Sequence, residues 1–205
     1  MWLIPRLEGF QREHADIEIR IDTSDQVLDL ELADVDLALR YGNANAMPSS
    51  AVRLFGEQLT PVASPWLLRG APSVRSAKDL AQFPFIEAGD AHRNHLEWLT
   101  WQRWLQTHGL TQFAPQRWLY FDYAHQMVQA ALSGQGVVLA RLSMVSDSLS
   151  NGDLVELLPG HRIDSPLSYW LVLGPRAHER PEVKAFCDWL AQQAQLTRTA
   201  VGDLS

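Results

Sequence analysis

The chain has 205 residues, 46% of them hydrophobic and 20% charged, with a net charge of −7 at pH 7. That balance suits one large or two small hydrophobic cores. Its 17 Lys and Arg residues form no run, which argues against this chain gripping a nucleic-acid backbone, where clustered cations displace counterions. No apolar stretch approaches the length of a membrane span, and Pro5 ends the apolar start too early for a secretory leader, so the chain reads as cytoplasmic. The single cysteine, Cys187, cannot close an internal disulfide and reads as a buried structural thiol.

In chain order, Trp2–His14 carries Leu3, Ile4, Leu7 and Phe10 at helical spacing, with Pro5 tolerable in the first turn. Asp16–Asp22 (DIEIRID) alternates strictly and predicts a strand with Ile17, Ile19 and Ile21 on one face. After the polar turn Thr23-Ser24-Asp25, Gln26–Ala33 predicts a short helix and Val35–Arg40 a second strand stopped by Tyr41-Gly42. That order predicts a parallel sheet with right-handed crossovers. Gln58–Ala63 is strand-like but holds Pro61, which suits an edge or a crossover between sheets. Ser64-Pro65 opens a short helix, a helical turn covers Lys78–Ala81, and Pro84–Glu87 is a short strand.

His95–Gly109 predicts a helix closed by Gly109, with Trp98, Trp101 and Trp104 at i, i+3, i+6 as packing residues. Tyr120–Leu142 forms the organising unit. The strand Trp118–Phe121 leads to Asp122 as helix N-cap, a helix carries Met127, Val128, Ala131 and Leu132 inward to Gly134, and Val137–Ala140 is a buried strand. A helix from Ser143 to Leu149, strands Leu154–Leu157 and Leu167–Gly174, and an amphipathic helix Pro181–Leu196 complete the chain. The strand-like runs near Leu59–Ala63 and Leu167–Leu173 lie about a hundred residues apart, so the residues between them read as an inserted domain. There is no nucleophile elbow, P-loop or dinucleotide-binding glycine pattern, and the sequence nominates no enzyme chemistry, catalytic residue or cofactor. His92 and His95 stand at i, i+3 without a third ligand, so no metal site is assigned.

The runs LIPRLEGFQREHADIEIRI, DVDLALRYG, FDYAHQMVQAALSGQGVVLA and SYWLV together resemble the effector-binding region of LysR-type transcriptional regulators. Within that family they are most similar to the glycine-cleavage-activator and β-lactamase-regulator branch. The resemblance implies an α/β, type 2 periplasmic-binding-protein-like fold with a central cleft and two crossover strands. Its subdomains would be 1–62 plus 168–205, and 63–167. The family begins with a winged helix-turn-helix, a linker helix and a first strand ahead of the helix holding Pro5. None of these is in this sequence, so the chain reads as a fragment or truncated product that binds DNA only through a domain it lacks.

Ligands of such folds lie at the carboxyl ends of parallel strands. On that basis the resemblance nominates Thr23, Ser24, Asp25, Asp29, Arg40, Tyr41, Gly42, Thr60 and Pro61, then Asp122, Tyr123 and Ala124 with Gln126, and Tyr169 beside Trp170. Arg40 suits equally a carboxylate clamp or an ion pair with Asp36 or Asp22, and Thr23 and Ser24 suit capping as well as binding. The implied partners are a small effector, carrying a carboxylate, and a second copy of the chain. Leu3, Arg6, Leu7 and Phe10 would face Tyr123, Met127 and Ala130 of that copy. The function implied is that of a sensory domain of a transcription regulator; a transporter's solute-binding protein is the alternative, distinguishable by a signal peptide.

Overall fold

The computed structural model describes residues 2–24, 26–89 and 97–203. It divides into two units, Met1–Gly56 with Pro166–Ser205, and Glu57–Ser165. Two strands belong to both: β2 spans Val52–Ala63 and β7 spans Ile163–Leu173.

In the first unit a 3-10 turn at Ile4–Arg6 runs into α1, Leu7–Glu13, with Pro5 in the opening turn where its missing N–H has no helical acceptor to lose. The helical stripe works inward. Phe10 is fully buried and meets Phe186 edge-on at 5.0 Å and Trp189 at 5.4 Å. Both partners lie on the long helix that closes the chain, here Pro181–Val201, five residues beyond the expected end and capped by left-handed Gly202. Buried Trp2 donates its indole N–H to Thr197 on that helix at 2.7 Å. Leu54 and Phe55 of β2 and Leu171 of β7 complete this core. Strand β1, Leu37–Asn43, runs antiparallel to β7, with Tyr41 opposite Tyr169 and Gly42 opposite Ser168.

Two expectations fail here. Asp16–Asp22 is not a strand: Ile17 and Ile19 pack on the core, but the backbone has no ladder partner among the described residues. Alternation orients side chains, whereas a strand also needs a neighbour to bond. Gln26–Ala33 is not a helix either. Only turns form between Leu30 and Asp34, and Val27 and Leu32 are 81% and 86% exposed. A helix that short needs a buried face to offset its nucleation cost, and this one has none. The predicted parallel pairing of this region falls with them, since the β1–β7 ladder is antiparallel.

In the second unit the strand order is β2, β5 (Val137–Arg141), β3 (Pro84–Ala88) and β4 (Arg117–Phe121), with β6 (Val155–Glu156) also on β2. Strand β3 is parallel to both β4 and β5, while β5 and β6 run antiparallel to β2. The predicted strand–helix–strand unit is present, with α4 at Ala124–Leu132 crossing from β4 to β5. At Gly136 a Cβ would stand 2.8 Å from the Pro84 carbonyl oxygen, so glycine admits β5 beside β3. The N-cap is Tyr123 rather than Asp122: the Tyr123 N–H donates to Gln126 Oε1 at 3.2 Å. Pro61 does not mark a sheet edge. It lies opposite Leu139 in the ladder, and its carbonyl accepts from Leu157 N–H at 2.9 Å, because proline lacks only the donor.

The short helix after Ser64 is α2, Pro65–Leu68, and the helix expected from His95 begins at Trp101 as α3, Trp101–Thr107, where the Thr100 side chain accepts from Arg103 N–H at 3.2 Å. His92 and His95 lie outside the described residues. The tryptophan stripe divides by environment. Trp101 and Trp104 are fully buried, their indoles donating to the Ile86 and His161 carbonyls at 2.9 and 2.8 Å. Trp98 is 36% exposed beneath the Arg103 guanidinium. Two carboxylates are also interior. Glu57 accepts from Ser143 Oγ at 2.6 Å and Ser143 N–H at 3.3 Å, where α5 (Leu142–Ser150) begins. Glu87 accepts from the Trp101 and Ala88 amides at 3.0 and 3.3 Å, but burial outweighs those bonds and pushes its carboxyl from 4.5 up to about 7.

A folded-state value raised this way gives stability that is complete below about 4.5 and lost as pH rises through about 7. The melting temperature is expected to fall between about pH 5 and pH 8 by the equivalent of roughly 3 kcal/mol, and Glu87→Gln to flatten that slope. Calorimetry of both proteins across that range checks it; an unchanged slope in the glutamine variant would place the dependence elsewhere.

Candidate functional site

In the first unit, facing positions of the β1–β7 ladder bring together Arg40, Tyr41, Gly42, Tyr169 and Trp170 among the residues nominated from the sequence. The Tyr41 ring packs on Tyr169 at 4.7 Å, and Tyr169 packs on Phe55 at 4.6 Å. Trp170 donates its indole N–H to the Gly42 carbonyl at 3.1 Å, and a Cβ on Gly42 would come within 2.8 Å of Met47 Cε. Arg40, next along β1, donates Nη2 to the Leu28 carbonyl at 2.8 Å. Neither candidate ion-pair partner holds it. Asp36 accepts twice from Arg180, at 2.7 and 2.9 Å, and Asp22 pairs with Arg20 at 3.3 Å. The guanidinium is thus fixed by a neutral acceptor, which leaves its charge and further N–H donors for another group.

Other nominated residues have local duties. Ser24 Oγ accepts from Gln26 N–H at 3.0 Å, a local turn bond rather than the expected helix cap, since no helix follows. Asp29 Oδ1 accepts from the Glu31 and Leu32 amides at 3.0 and 3.3 Å and so organises the Leu30–Asp34 turns. Thr23 is exposed, and Asp25 lies outside the described residues. A cavity of about 310 Å³ in this unit is lined by Glu31, Asp34, Asp36 and Arg176 with apolar neighbours, and contains none of the nominated residues.

In the second unit Thr60 and Pro61 are interior. The Thr60 hydroxyl donates to Glu156 Oε1 at 2.7 Å, and Arg162 grips the same carboxylate through two bonds of 2.7 Å. Those Arg162 bonds hold the Glu156 carboxyl below its usual range. Thr60 therefore positions Glu156, with its hydroxyl proton already committed. Asp122, Tyr123 and Ala124 stand together at the carboxyl end of β4, with Tyr123 55% exposed and stacked on His125 at 5.6 Å. The β3 end lies beside them, since Gly89 N–H donates to the Phe121 carbonyl at 2.9 Å.

The residues nominated for a dimer face divide in the same way. Arg6 donates to the Trp2 carbonyl at 2.8 Å, Leu3 and Leu7 are half-buried on the first unit's core, and Met127 is half-buried. Phe10 is wholly interior and Ala130 nearly so, which removes both from any surface a partner could touch. Their apolar stripes serve the chain's own cores. Sequence reading also missed Glu57 and Glu87, although each is a carboxylate inside an apolar strand run (LFGEQL, PFIEA). Among the described residues no cluster of His, Cys, Asp and Glu could hold a metal ion, and no helix is long and apolar enough to cross a membrane.

Residues 1–195 match the family model of the LysR substrate binding domain, and the chain belongs to that family. Its fold is accordingly the α/β, type 2 periplasmic-binding-protein-like one. It is 33% identical over 194 residues to the glycine cleavage system transcriptional activator of Escherichia coli K12, covering 94% of this chain and 61% of that one. It is 31% identical to the transcriptional activator AmpR of Pseudomonas aeruginosa, covering 94% and 62%. Among solved structures, the effector domain of P. aeruginosa AmpR aligns with a TM-score of 0.67 at 28% identity, over 98% of this chain and 92% of that one. CrgA of Neisseria meningitidis shares the fold, with a TM-score of 0.71 at 20% identity over 94% of this chain and 64% of that one. The chain spans about three fifths of the length of these curated relatives.

Proposed function

We propose that this chain is the effector-sensing region of a LysR-type transcriptional regulator, cytoplasmic and dimeric, acting on DNA through a helix-turn-helix domain outside this sequence. The observation that carries the reading is the match of residues 1–195 to the family's substrate binding domain, with transcriptional regulators as the relatives. The same relatives disfavour a transporter's solute-binding protein. An effector acts by binding one shape of such a domain more tightly than another.

The effector we propose is a small molecule bearing a carboxylate. Arg40 supports this, because its charge faces no carboxylate partner among the described residues. Thr23, Ser24, Asp25, Asp29, Tyr41, Gly42 and Tyr169 are its proposed companions in the first unit, and Asp122, Tyr123 and Ala124 in the second. Thr60 and Pro61, both interior, are proposed as supports within the second unit. The proposed dimer face keeps Leu3, Arg6 and Leu7 on one helix and Tyr123 with Met127 on the other, with Ile4, 62% exposed, added to the first.

A thermal-shift screen against amino acids, small organic acids and muropeptides at millimolar concentration tests the sensing reading. A ligand at a hundredfold its Kd stabilises by about 2.7 kcal/mol. A carboxylate-bearing hit is expected, and Arg40→Ala is expected to abolish its shift while leaving the unliganded melting temperature nearly unchanged, since one surface bond is lost. A full shift in the variant would make Arg40 structural, and a blank panel on the folded protein would count against the reading. Ile4→Asp is expected to convert a dimer to a monomer in analytical ultracentrifugation at micromolar concentration without loss of fold; an unchanged mass would reject this face.

A further inference from the structure

The chain passes from the first unit to the second at the Gly56–Glu57 peptide and returns at Ser165–Pro166. The two passages are unlike in backbone freedom. Proline fixes its own φ and restricts the residue before it, so the return is stiff. Glycine is the most permissive residue, so the outward passage is where the chain can turn.

That freedom is held on both sides. Gly56 N–H donates to Asp203 Oδ2 at 2.6 Å, and Arg53 Nη2 reaches the same carboxylate at 3.1 to 3.2 Å. Asp203 follows the left-handed Gly202 that ends the closing helix Pro181–Val201 (α6), and its own N–H donates to the Arg198 carbonyl at 3.0 Å. Arg198 in turn donates to the Leu54 and Arg53 carbonyls at 2.5 and 3.3 Å. Arg53 also reaches Ser168 Oγ of β7 at 3.3 Å. The end of α6 therefore grips β2 from Arg53 to Gly56. A Cβ at Gly56 would stand 2.5 Å from Arg53 Nη2, so glycine is also what lets this pair sit over the strand. One residue further on, the hold is the second unit's: Glu57 is fixed by Ser143, and Leu59–Val62 is laddered to β5.

We propose that Asp203 is a strap: its carboxylate binds the crossing strand to the end of α6 and confines bending between the units to the Gly56–Glu57 peptide. Releasing it frees the Gly56 amide and lengthens the flexible joint toward Phe55, while Arg198 still holds the Arg53 and Leu54 carbonyls. The inference rests on the chain's own contacts and stands apart from the effector reading.

Site-resolved amide hydrogen exchange by NMR on the full chain tests it. In Asp203→Ala the Gly56 amide is expected to exchange at least tenfold faster, with the Leu59 and Val62 amides unchanged. In Asp203→Asn, which keeps a weaker neutral acceptor, the increase is expected to be severalfold. An unchanged Gly56 rate in the alanine variant would overturn the strap, and equal acceleration at Leu59 and Val62 would overturn the confinement. Should the alanine variant fail to fold, the asparagine variant decides by the same comparison.

Discussion

One strand has to satisfy two interiors. Over twelve residues β2 supplies Leu54 and Phe55 to the first unit's core and Leu59 and Ala63 to the second's. Such a strand cannot be optimised for either core alone, and its middle shows how the conflict is resolved. Gly56 carries no side chain to place, and Glu57 turns a carboxylate inward to an amide and a hydroxyl at the start of α5. The polar residue sits where the apolar demand of one core has ended and that of the other has not begun.

Carboxylates drawn wholly or partly inside the second unit recur, and their surroundings decide their chemistry. Glu156 meets a guanidinium and a hydroxyl and is held ionised, because the attraction and two charge-assisted bonds outweigh desolvation. Glu87 meets amides, and there desolvation prevails. Two acids in one unit are thus driven in opposite directions by whether a cation lies within reach.

Elements whose cause is local were legible in the sequence. The strand–helix–strand unit around α4 announces itself through an apolar run, a helical stripe and Gly134 in sequence, and Ser64 before Pro65 is a cap whose side chain accepts from Leu67 N–H at 3.4 Å. Elements whose cause is a neighbour were not. DIEIRID has the alternation of a strand and no ladder, and Gln26–Ala33 has a helical pattern with nothing to pack against. Candidate binding residues share this limit. Strand ends can be read from a pattern, but whether a hydroxyl is already committed, as at Thr60, depends on Glu156 ninety-six positions away.

The same limit explains why Arg40 resisted assignment from sequence. Two aspartates lay close enough along the chain to claim it, and choosing between structural and ligand roles needed knowledge of what else those aspartates meet. Arg20 and Arg180 take them, the latter across 144 positions. What remains is a cation positioned by a carbonyl in a chain of net charge −7. A carbonyl orients a guanidinium without neutralising it, so Arg40 keeps its charge midway along β1. A carboxylate approaching it meets an oriented cation whose two nearby aspartates are already paired elsewhere, and this orientation, more than the arginine itself, is what supports an acidic effector.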